Sequence, residues 1–434
     1  MLAPIQGRLG VRRLARMLAR IRRAPAFVAE TCDPITTLGE ITPFNARWLG
    51  DGARRLNLIL PSLNKMHYFG GIHTAVLVYR ELAKHFDASR IVVVDSAPDV
   101  EACSRFLDHA LVDARNDVNE PKQLVAFNDR YGRTLPVSGG DFWLATAWWT
   151  AYAAQRVVKW QQEHGVPVRP VAYLIQDYEP GFYPWSSQYA LAMSTYRPES
   201  DIAIFNTRVL ADYFEAQGHQ YARSCVFEPE LNAGLRDKLR VMRDSPVQPR
   251  LRQIVVYARP GTPRNAFELI CEGLRLWGWR DSRAHGWSII APGQLSGDVD
   301  LGSVTLRAVG KLDITQYADL IASSAIGVSL MISPHPSYPP LEMAAFGMLV
   351  LTNGYANKDL STMFDNVYSL HQITPEDIAS GLVRLVDTFE ARGMLPGEIL
   401  GEDAPFLATN GLARAADCVA RLWNATESKP GQCG

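Results

Sequence analysis

Residues 244–265 read DSPVQPRLRQIVVYARPGTPRN, and this stretch divides the chain into two halves. Its first part, Asp244–Arg250, holds two prolines and shows no hydrophobic periodicity, which is typical of a linker between domains. The apolar run Ile254–Tyr257 follows and predicts a buried strand. That strand leads directly into a loop with two prolines, a glycine, Arg259 and Arg264. A new strand-and-loop pattern therefore begins after the linker.

Short apolar strands alternate with helical stretches on both sides of this linker. Such an alternation predicts parallel sheets with helices on both faces, and hence two doubly wound, Rossmann-like α/β domains. Two sheets of this kind imply a cleft, with ligands at the carboxyl ends of the strands. The predicted strands are 56–60, 91–95, 142–147, 171–175, 202–205, 254–257, 287–291, 304–309, 326–330 and 349–352, and the clearest helices are 72–85, 267–276 and 412–423.

The domain organisation follows from these patterns. We predict a basic amphipathic segment at 1–30, a first Rossmann-like domain at 31–245, a second at 250–405, and a C-terminal helix and tail at 406–434.

The composition sets limits on the class of protein. A chain of 434 residues suits two or three domains, and 47% hydrophobic with 21% charged residues is a soluble globular profile. The net charge of −1 gives no indication of nucleic-acid binding. No apolar run approaches the ~18–20 residues of a membrane span. Six cysteines without a C-x-x-C pair favour a reduced compartment over a disulfide framework or a zinc site.

The N-terminus is the one strong charge anomaly. Residues 1–29 contain seven arginines and no acidic residue, and Leu14, Met17, Leu18 and Ile21 share one helical face. This pattern is typical of a helix that lies on an anionic membrane surface, here through residues 8–23. An ordinary basic surface helix and a transit peptide are the alternatives.

Arginines after the first strand of the second half suggest a phosphate site. Guanidinium groups bind phosphate through two parallel hydrogen bonds and stay charged when partly desolvated, so Arg259 and Arg264 could hold a diphosphate. Asn265 could cap the next helix, whose N-terminus also favours an anion. Lys311, after the strand 304–309, is a candidate second contact. Solvated surface side chains are the simpler alternative.

A stiff loop after the strand 326–330 holds the next candidates. Ser333–Glu342 contains four prolines and leads into a helix that we expect Leu341 and Glu342 to open. Glu342 could cap that helix or accept hydrogen bonds from a ribose diol, and we favour the ribose. His335 and Tyr338 in the same loop are candidate substrate contacts.

The first half carries a glycine turn and an acidic, aromatic loop. Gly70 and Gly71 join a strand to a helix, where free N–H groups could face a ligand beside His73, although a plain tight turn fits equally well. Asp177 and Glu179 follow another strand and precede Phe182, Tyr183 and Trp185.

Carboxylates beside aromatic faces suit a sugar, since the acids bind hydroxyls and the rings stack on C–H faces. A packed aromatic loop with capping acids is the alternative. Trp148 and Trp149 could extend this wall or fill the core.

The histidines show no zinc-ligand spacing. The D-x-D sequence at Asp298 and Asp300 lies in a stretch rich in glycine and serine, which favours a surface turn over a metal site.

Several of these segments together resemble a known family. The chain resembles retaining GT-B glycosyltransferases of the family 4 type and is most similar to the WsaF-like bacterial rhamnosyltransferases. The matching segments run in the expected order over roughly residues 55–355 and are 70–74, 175–180, 257–265, 310–312 and 333–342.

The resemblance implies roles for named residues. Arg259 and Arg264 would contact the donor diphosphate, Glu342 the donor ribose, and Lys311 the nucleotide. The first domain would bind the acceptor and the second the nucleotide-sugar donor. One position departs from the family pattern, because Pro334 stands where many members have a glutamate that contacts the sugar.

The expected activity is transfer of a sugar onto a hydroxyl of a cell-surface or lipid-linked glycan. The donor implied by the resemblance is dTDP-L-rhamnose, and the transfer would need no metal or other cofactor. Asp177 is the first candidate for the acceptor side, as base or hydroxyl anchor, and Glu179 the second. The expected location is cytoplasmic and peripheral, on the inner face of the cell membrane. The alternatives are a nucleotide-sugar epimerase on the same fold and a non-catalytic relative that binds sugar nucleotides or glycans.

Overall fold

The computed structural model describes residues 37–65, 68, 70–401, 404 and 410–427. The basic amphipathic segment predicted at 1–30 and the tail after residue 427 lie outside these residues.

The first half is built on a parallel sheet of eight strands in the order β10-β9-β8-β7-β2-β3-β5-β4. The strands β1 and β6 form a separate two-stranded parallel sheet. The strands are β1 (Ala46–Trp48), β2 (Arg55–Leu60), β3 (Ala88–Val93), β4 (Ala110–Asp113), β5 (Lys122–Ala126), β6 (Leu135–Val137), β7 (Asp141–Ala145), β8 (Ala172–Ile175), β9 (Ile202–Phe205) and β10 (Ser224–Val226).

The second half is built on a sheet of seven strands in the order β13-β14-β12-β11-β15-β16-β17. Only the short edge strand β13 is antiparallel to its neighbour. The strands are β11 (Leu251–Val256), β12 (Ser288–Pro292), β13 (Val299–Asp300), β14 (Thr305–Gly310), β15 (Ser324–Val328), β16 (Leu349–Asn353) and β17 (Val367–Leu370).

Helices connect the parallel strands. They are α1 (Gly71–Ala83), α2 (Val100–Ser104), α3 (Trp148–Glu163), α4 (Ser187–Ser194), α5 (Arg208–Ala216), α6 (Ala233–Arg243), α7 (Phe267–Arg280), α8 (Ile314–Ser323), α9 (Tyr338–Ala345), α10 (Pro375–Ala391) and α11 (Gly411–Glu427). Single 3-10 turns occur at Gly39–Ile41, Glu179–Phe182, Pro263–Asn265, Ser282–Gly286 and Leu360–Thr362.

Each sheet buries both of its faces. Strands such as β2, β9 and β16 are almost continuously buried, as expected when helices cover a parallel sheet on both sides. One core of the first half packs against α1 and α11, and a second lies on the opposite face against α3 and α5. The second half repeats this plan, with α7 and α10 on one face and α6, α8 and α9 on the other. The doubly wound α/β fold is thus confirmed.

All ten predicted strands are present, with ends that move by up to three residues. The strand predicted at 91–95 runs from Ala88 to Val93, because its first residues pair with β2 and β5 although they are polar. Within the residues that the structure describes, seven further strands were not predicted. They are only two to five residues long, and Lys122–Ala126 begins with lysine and glutamine.

Two helices cross between the halves. The helix α6 precedes the predicted linker, yet Leu235 and Leu239 pack into a core of the second half. The last helix, α11, follows the second half and returns to the first, where Trp423 is completely buried. The domain limits 31–245 and 250–405 stay a prediction.

A disulfide joins this returning helix to the first sheet. Cys225 on β10 and Cys418 on α11 are bonded, with Cα atoms 6.3 Å apart. This pair corrects the expectation of a reduced compartment without a disulfide framework, because the fold brings together two residues that are 193 positions apart. Cys103 and Cys271 carry free thiols.

None of the helices in the described ranges is long and apolar enough to cross a membrane.

The anchoring of α11 by Trp423 generates a testable prediction. Its ring packs edge-on against Phe86 and Phe142, and its Nε1–H donates to the Pro170 carbonyl at 2.9 Å. Trp423→Ala removes a buried aromatic side chain and leaves a cavity, so we expect the free energy of unfolding to fall by about 3–5 kcal/mol. Urea unfolding measures this, with Arg421→Ala on the exposed side of the same helix as the control. Equal losses in the two variants would contradict the anchoring role.

Candidate active site

The loop that carries Arg259 is held by the neighbouring strand connection. The Ala258 N–H donates to the Pro292 carbonyl at 3.2 Å, and the Gln294 N–H donates to the Ala258 carbonyl at 3.0 Å. Gly293 lies between them with φ +138°, and a Cβ there would lie 2.2 Å from the Ala258 oxygen. Only glycine allows this approach, so the start of the loop is firmly positioned.

Three predicted cations come together at the carboxyl edge of the second sheet. Arg259 and Arg264 lie in the loop after β11, and Lys311 follows β14. Burial is the main cause that lowers the pKa of both Arg264 and Lys311, and the charge of Arg259 lowers both further. Lys65 of the first half also lowers the pKa of Lys311. Cations that repel one another in this way form a suitable site for a polyanion.

Arg264 connects the two halves through Asp177. Its Nε lies 3.2 Å from Oδ2 of Asp177, and its guanidinium stacks over the Phe182 ring at 4.3 Å. The Ser333 hydroxyl donates to Oδ1 of the same carboxylate, which also accepts from the Tyr178 N–H at 2.8 Å. The predicted acceptor carboxylate and diphosphate arginine are therefore direct neighbours.

Asp177 is almost fully buried in this contact. Its burial raises the pKa of the carboxyl group, and Arg264 and Ser333 oppose that rise. The carboxylate is thus held in place by groups from both halves, where the strands β8, β11 and β15 end.

Sequence reasoning missed Lys358, which lies in the same cluster. Its side chain is 1% exposed, and its ammonium group donates to the Met331 carbonyl. Burial lowers its pKa to about 7, while the charge of Asp177 acts in the opposite direction. A lone lysine in the loop after β16 carries no sequence signal, since only the fold brings it to Asp177.

Glu179 occupies a different environment from Asp177. It is buried, and its Oε2 accepts a hydrogen bond from the Trp148 N–H at 2.5 Å, at the first residue of α3. Burial raises its pKa to about 8. Trp148 itself is completely buried and therefore fills core, whereas Trp149 is partly exposed. This placement favours support of the helix over direct contact with a substrate.

A chain of hydrogen bonds links His335 and Tyr338 to the first half. The His335 Nδ1 accepts from the Ser337 N–H at 3.0 Å, so Nε2 carries the proton and donates to the Asn206 amide oxygen at 2.9 Å. Burial lowers the pKa of His335 to about 3, which keeps the ring neutral. The Tyr338 hydroxyl lies 3.4 Å from the Thr74 hydroxyl and 3.5 Å from the Asn206 amide nitrogen.

Glu342 lies in the second turn of α9, beside Tyr317. The helix begins at Tyr338, three residues before the predicted start at Leu341, because prolines fit the first helical turn without loss of hydrogen bonds. Burial raises the pKa of Glu342 to about 7, and interaction with the Tyr317 hydroxyl opposes this rise. Asn265 does not cap α7 as expected, since its amide donates to the Leu330 carbonyl at 3.0 Å.

The glycine turn lies at the carboxyl end of β2. Gly70, with φ +43°, precedes α1, which begins at Gly71. A Cβ on Gly71 would lie 3.2 Å from the Gln176 amide, which donates to the Gly71 carbonyl. His73 is exposed, and its ring packs edge-on against Tyr68 at 5.7 Å. The turn thus lies beside the loop that carries Asp177.

The D-x-D sequence is engaged in local backbone contacts. Asp298 accepts from the Ala308 N–H at 2.8 Å, and Asp300 accepts from the Gly302 N–H at 2.9 Å. Across the residues that the structure describes, no three histidine, cysteine or acidic side chains are grouped to hold a metal ion. Metal-independent transfer stays a prediction of the family resemblance.

Comparison with known proteins identifies the family. Residues 55–208 match the WsaF N-terminal domain and residues 252–383 match the WsaF C-terminal domain, together about two thirds of the chain. The chain belongs to the WsaF family of GT-B glycosyltransferases. The WsaF-type domains meet at the cluster around Asp177 and Arg264.

A curated relative of this WsaF-family chain is the O-antigen biosynthesis protein RfbC of Myxococcus xanthus. The two are 29% identical over 340 residues, which are 76% of this chain and 24% of RfbC. The chain thus spans about a quarter of the length of that relative.

Solved structures share the fold. HepE of Anabaena, in complex with UDP and glucose, aligns with a TM-score of 0.51 at 12% identity and covers 87% of this chain and 100% of its own. The trehalose-6-phosphate synthase OtsA aligns with a TM-score of 0.53 at 11% identity, over 85% and 99% of the two chains. The GT-B architecture predicted for this WsaF-family chain is confirmed.

The buried Glu179 predicts a pH effect on stability. The pKa of this group is about 8 in the fold against 4.5 for an ordinary glutamate, so between these values the native state holds a proton that the unfolded chain releases. The free energy of unfolding should then fall as the pH rises through this window, by up to about 1.4 kcal/mol per pH unit for this group. Glu179→Gln keeps an oxygen for the Trp148 N–H and removes this fall.

Urea unfolding of the wild type and Glu179→Gln from pH 5 to 8 measures the difference. We expect similar stability near pH 5 and a more stable variant near pH 8, with exposed Glu215→Gln as the control. Parallel curves for the wild type and Glu179→Gln would show that the carboxyl group is ionised in the fold.

Proposed function

We propose that this protein transfers a sugar from a nucleotide-sugar donor to a hydroxyl of a cell-surface or lipid-linked glycan. The observation that carries the proposal is the group of cations at the carboxyl edge of the second sheet, opposite the buried Asp177 of the first. Membership of the WsaF family supports the reaction type.

On the donor side, Arg259, Arg264 and Lys311 bind the diphosphate. Negative charge develops on this group as the bond to the sugar breaks, and fixed cations stabilise it most in that transition state. Glu342 orients the nucleotide ribose from α9, with Tyr317 beside it. In this proposal the further candidate substrate contacts are Gly70, Gly71, His73, His335 and Tyr338.

On the acceptor side, Asp177 anchors the incoming hydroxyl or accepts its proton. In this structure the carboxylate is paired with Arg264. A bound diphosphate competes for the same guanidinium, so donor binding frees an oxygen of Asp177 for the acceptor. Glu179 is the second candidate, and its contact with the Trp148 N–H gives it a supporting role in this proposal.

The donor sugar is L-rhamnose from dTDP-rhamnose in this proposal, and the acceptor is a growing polysaccharide. The rhamnosyl donor rests on the WsaF-like motifs, and the acceptor class also on the name of RfbC, an O-antigen biosynthesis protein. Pro334 takes the place of the usual sugar-contacting glutamate. In this proposal the adjacent Ser333 and His335 are the candidates to contact the sugar instead.

Nucleotide binding tests the donor site. A ligand at about 100 times its dissociation constant adds roughly 2.7 kcal/mol of stability, which gives a clear shift in the thermal midpoint. We expect dTDP to stabilise the protein more than UDP, GDP or ADP, and Arg259→Ala to abolish the shift. Arg252→Ala is the matched control, because Arg252 is exposed at the opposite end of β11 and paired with Glu390.

Three results would contradict parts of the proposal. The absence of any nucleotide shift would remove the donor site. A shift that Arg259→Ala leaves intact would remove the assigned arginine. Turnover of dTDP-rhamnose without an acceptor and without hydrolysis would identify an epimerase.

We also propose that residues 8–23 hold the enzyme at an anionic membrane surface, close to a lipid-linked acceptor. Arginines near such a surface contribute about 1 kcal/mol each. Deletion of residues 1–24 should therefore abolish sedimentation with vesicles that contain phosphatidylserine and leave the dTDP shift unchanged. Neutral phosphatidylcholine vesicles are the control. Equal sedimentation of the 434-residue and shortened proteins would exclude this role.

A further inference from the structure

The carboxyl edge of the first sheet continues well beyond Asp177. From β8 the strands follow in the order β7, β2, β3 and β5. Arg130 lies in the loop after β5 and is 5% exposed. Its Nε–H is buried and has no hydrogen-bond partner. Within the described part of the chain, its guanidinium forms no ion pair.

This placement of Arg130 is costly for the fold. A guanidinium stays charged in proteins, and removal of water from its Nε–H without a hydrogen-bonded partner is unfavourable. Burial accordingly lowers the pKa of Arg130, and the charge of Asp95 opposes this from a distance. Packing alone gives no reason to hold a cation here, so a ligand that supplies oxygen atoms would explain it.

Two further groups on the same edge suit such a ligand. Asp95 follows β3, and its Oδ2 accepts a hydrogen bond from the Trp149 indole N–H at 3.1 Å. Trp149 is partly exposed at the start of α3. We refer to Arg130, Asp95 and Trp149 as the edge cluster. It combines hydrogen-bond donors, a carboxylate acceptor and an aromatic ring.

We propose that the edge cluster is a second acceptor subsite, which binds a neutral sugar ring of the glycan through its hydroxyl groups. A hydroxyl can accept from Arg130 and donate to Asp95 at the same time, and the indole can pack against the C–H face of the ring. The two charges are opposite, so an anionic group would gain from Arg130 and lose to Asp95. This inference rests on the proposed transferase function.

The position of the edge cluster bears on the length of the acceptor. Three to four strand spacings separate β8, which leads to Asp177, from β3 and β5, which lead to Asp95 and Arg130. At ~4.8 Å per spacing this is roughly 14–19 Å, several times the width of one sugar ring. The Trp149 indole reaches Asp95 from the start of α3, so a ring held between Asp95 and Arg130 is not the ring that reacts at Asp177. The acceptor is an oligosaccharide or polymer that the enzyme contacts along this edge.

The first test separates a ligand-binding role of Arg130 from a structural one. Arg130→Gln removes a buried charge that has no ion pair, so the thermal midpoint of the ligand-free protein should stay the same or rise. Arg133→Gln is the matched control, since that guanidinium is paired with Asp129 at 2.8 Å only three residues away. A marked fall in the midpoint for Arg130→Gln would mean that the arginine holds the fold together, and would overturn the proposal.

The second test measures binding at the indole of Trp149. The probes are methyl α-L-rhamnoside, methyl α-D-mannoside and methyl α-D-glucoside, with glucuronate as the anionic comparison, each titrated up to about 100 mM. The 1H–15N signal of the Trp149 indole, assigned with Trp149→Phe, reports occupancy. We expect at least one neutral glycoside to shift this signal, and Arg130→Gln to weaken that binding about tenfold or more. Arg133→Gln should bind as the wild type does.

The remaining outcomes each overturn the proposal. A shift caused by glucuronate alone would make the site an anion site, and no shift with any probe would exclude a sugar subsite. The dTDP-induced thermal shift is recorded on the same samples. If dTDP binds while the Trp149 signal never responds, the subsite fails and the donor site stands. If dTDP also has no effect, the failure lies in the proposed function itself.

Discussion

The parallel direction of the strands is the constraint on which this structure depends. Because nearly all strands of each sheet point the same way, their carboxyl ends share one edge, and the connecting loops collect there. The residues of the candidate site lie in the segments that follow β2, β8, β11, β14 and β15. These loops are far apart in the chain, and the sheet order within each half and the contacts between the halves make them neighbours.

The ion pair of Arg264 with Asp177 shows how this edge is used. Asp177 is buried and Arg264 is half-buried, and such a pair is maintained only when further hydrogen bonds satisfy the carboxylate. Ser333 and the Tyr178 N–H supply them from the two halves. The pair therefore both joins the halves and prepares an arginine and a carboxylate for a substrate that separates them.

Two buried cations at the carboxyl edges, Lys358 and Arg130, have few hydrogen-bond partners. At the opposite end of the first sheet, the fully buried Asp141 is satisfied by Arg55 and Asn57. At the carboxyl edge, Lys358 donates to a single carbonyl, and Arg130 has an Nε–H without any partner. Both groups can therefore gain hydrogen bonds from a ligand that supplies oxygen atoms.

The amino-acid sequence was sufficient for the α/β class, the ten central strands and the loops that carry Arg259, Asp177 and Glu342, because apolar runs and glycine or proline turns are local signals. Only the tertiary structure decided which loops meet. It gave different environments to Asp177 and Glu179, which are two residues apart in the chain. Asp177 pairs with Arg264 of the second half, whereas Glu179 accepts a hydrogen bond from the first residue of α3. It also brought in Lys358 and Arg130, since a single charged residue has no periodicity, and its burial depends on strands distant in the chain.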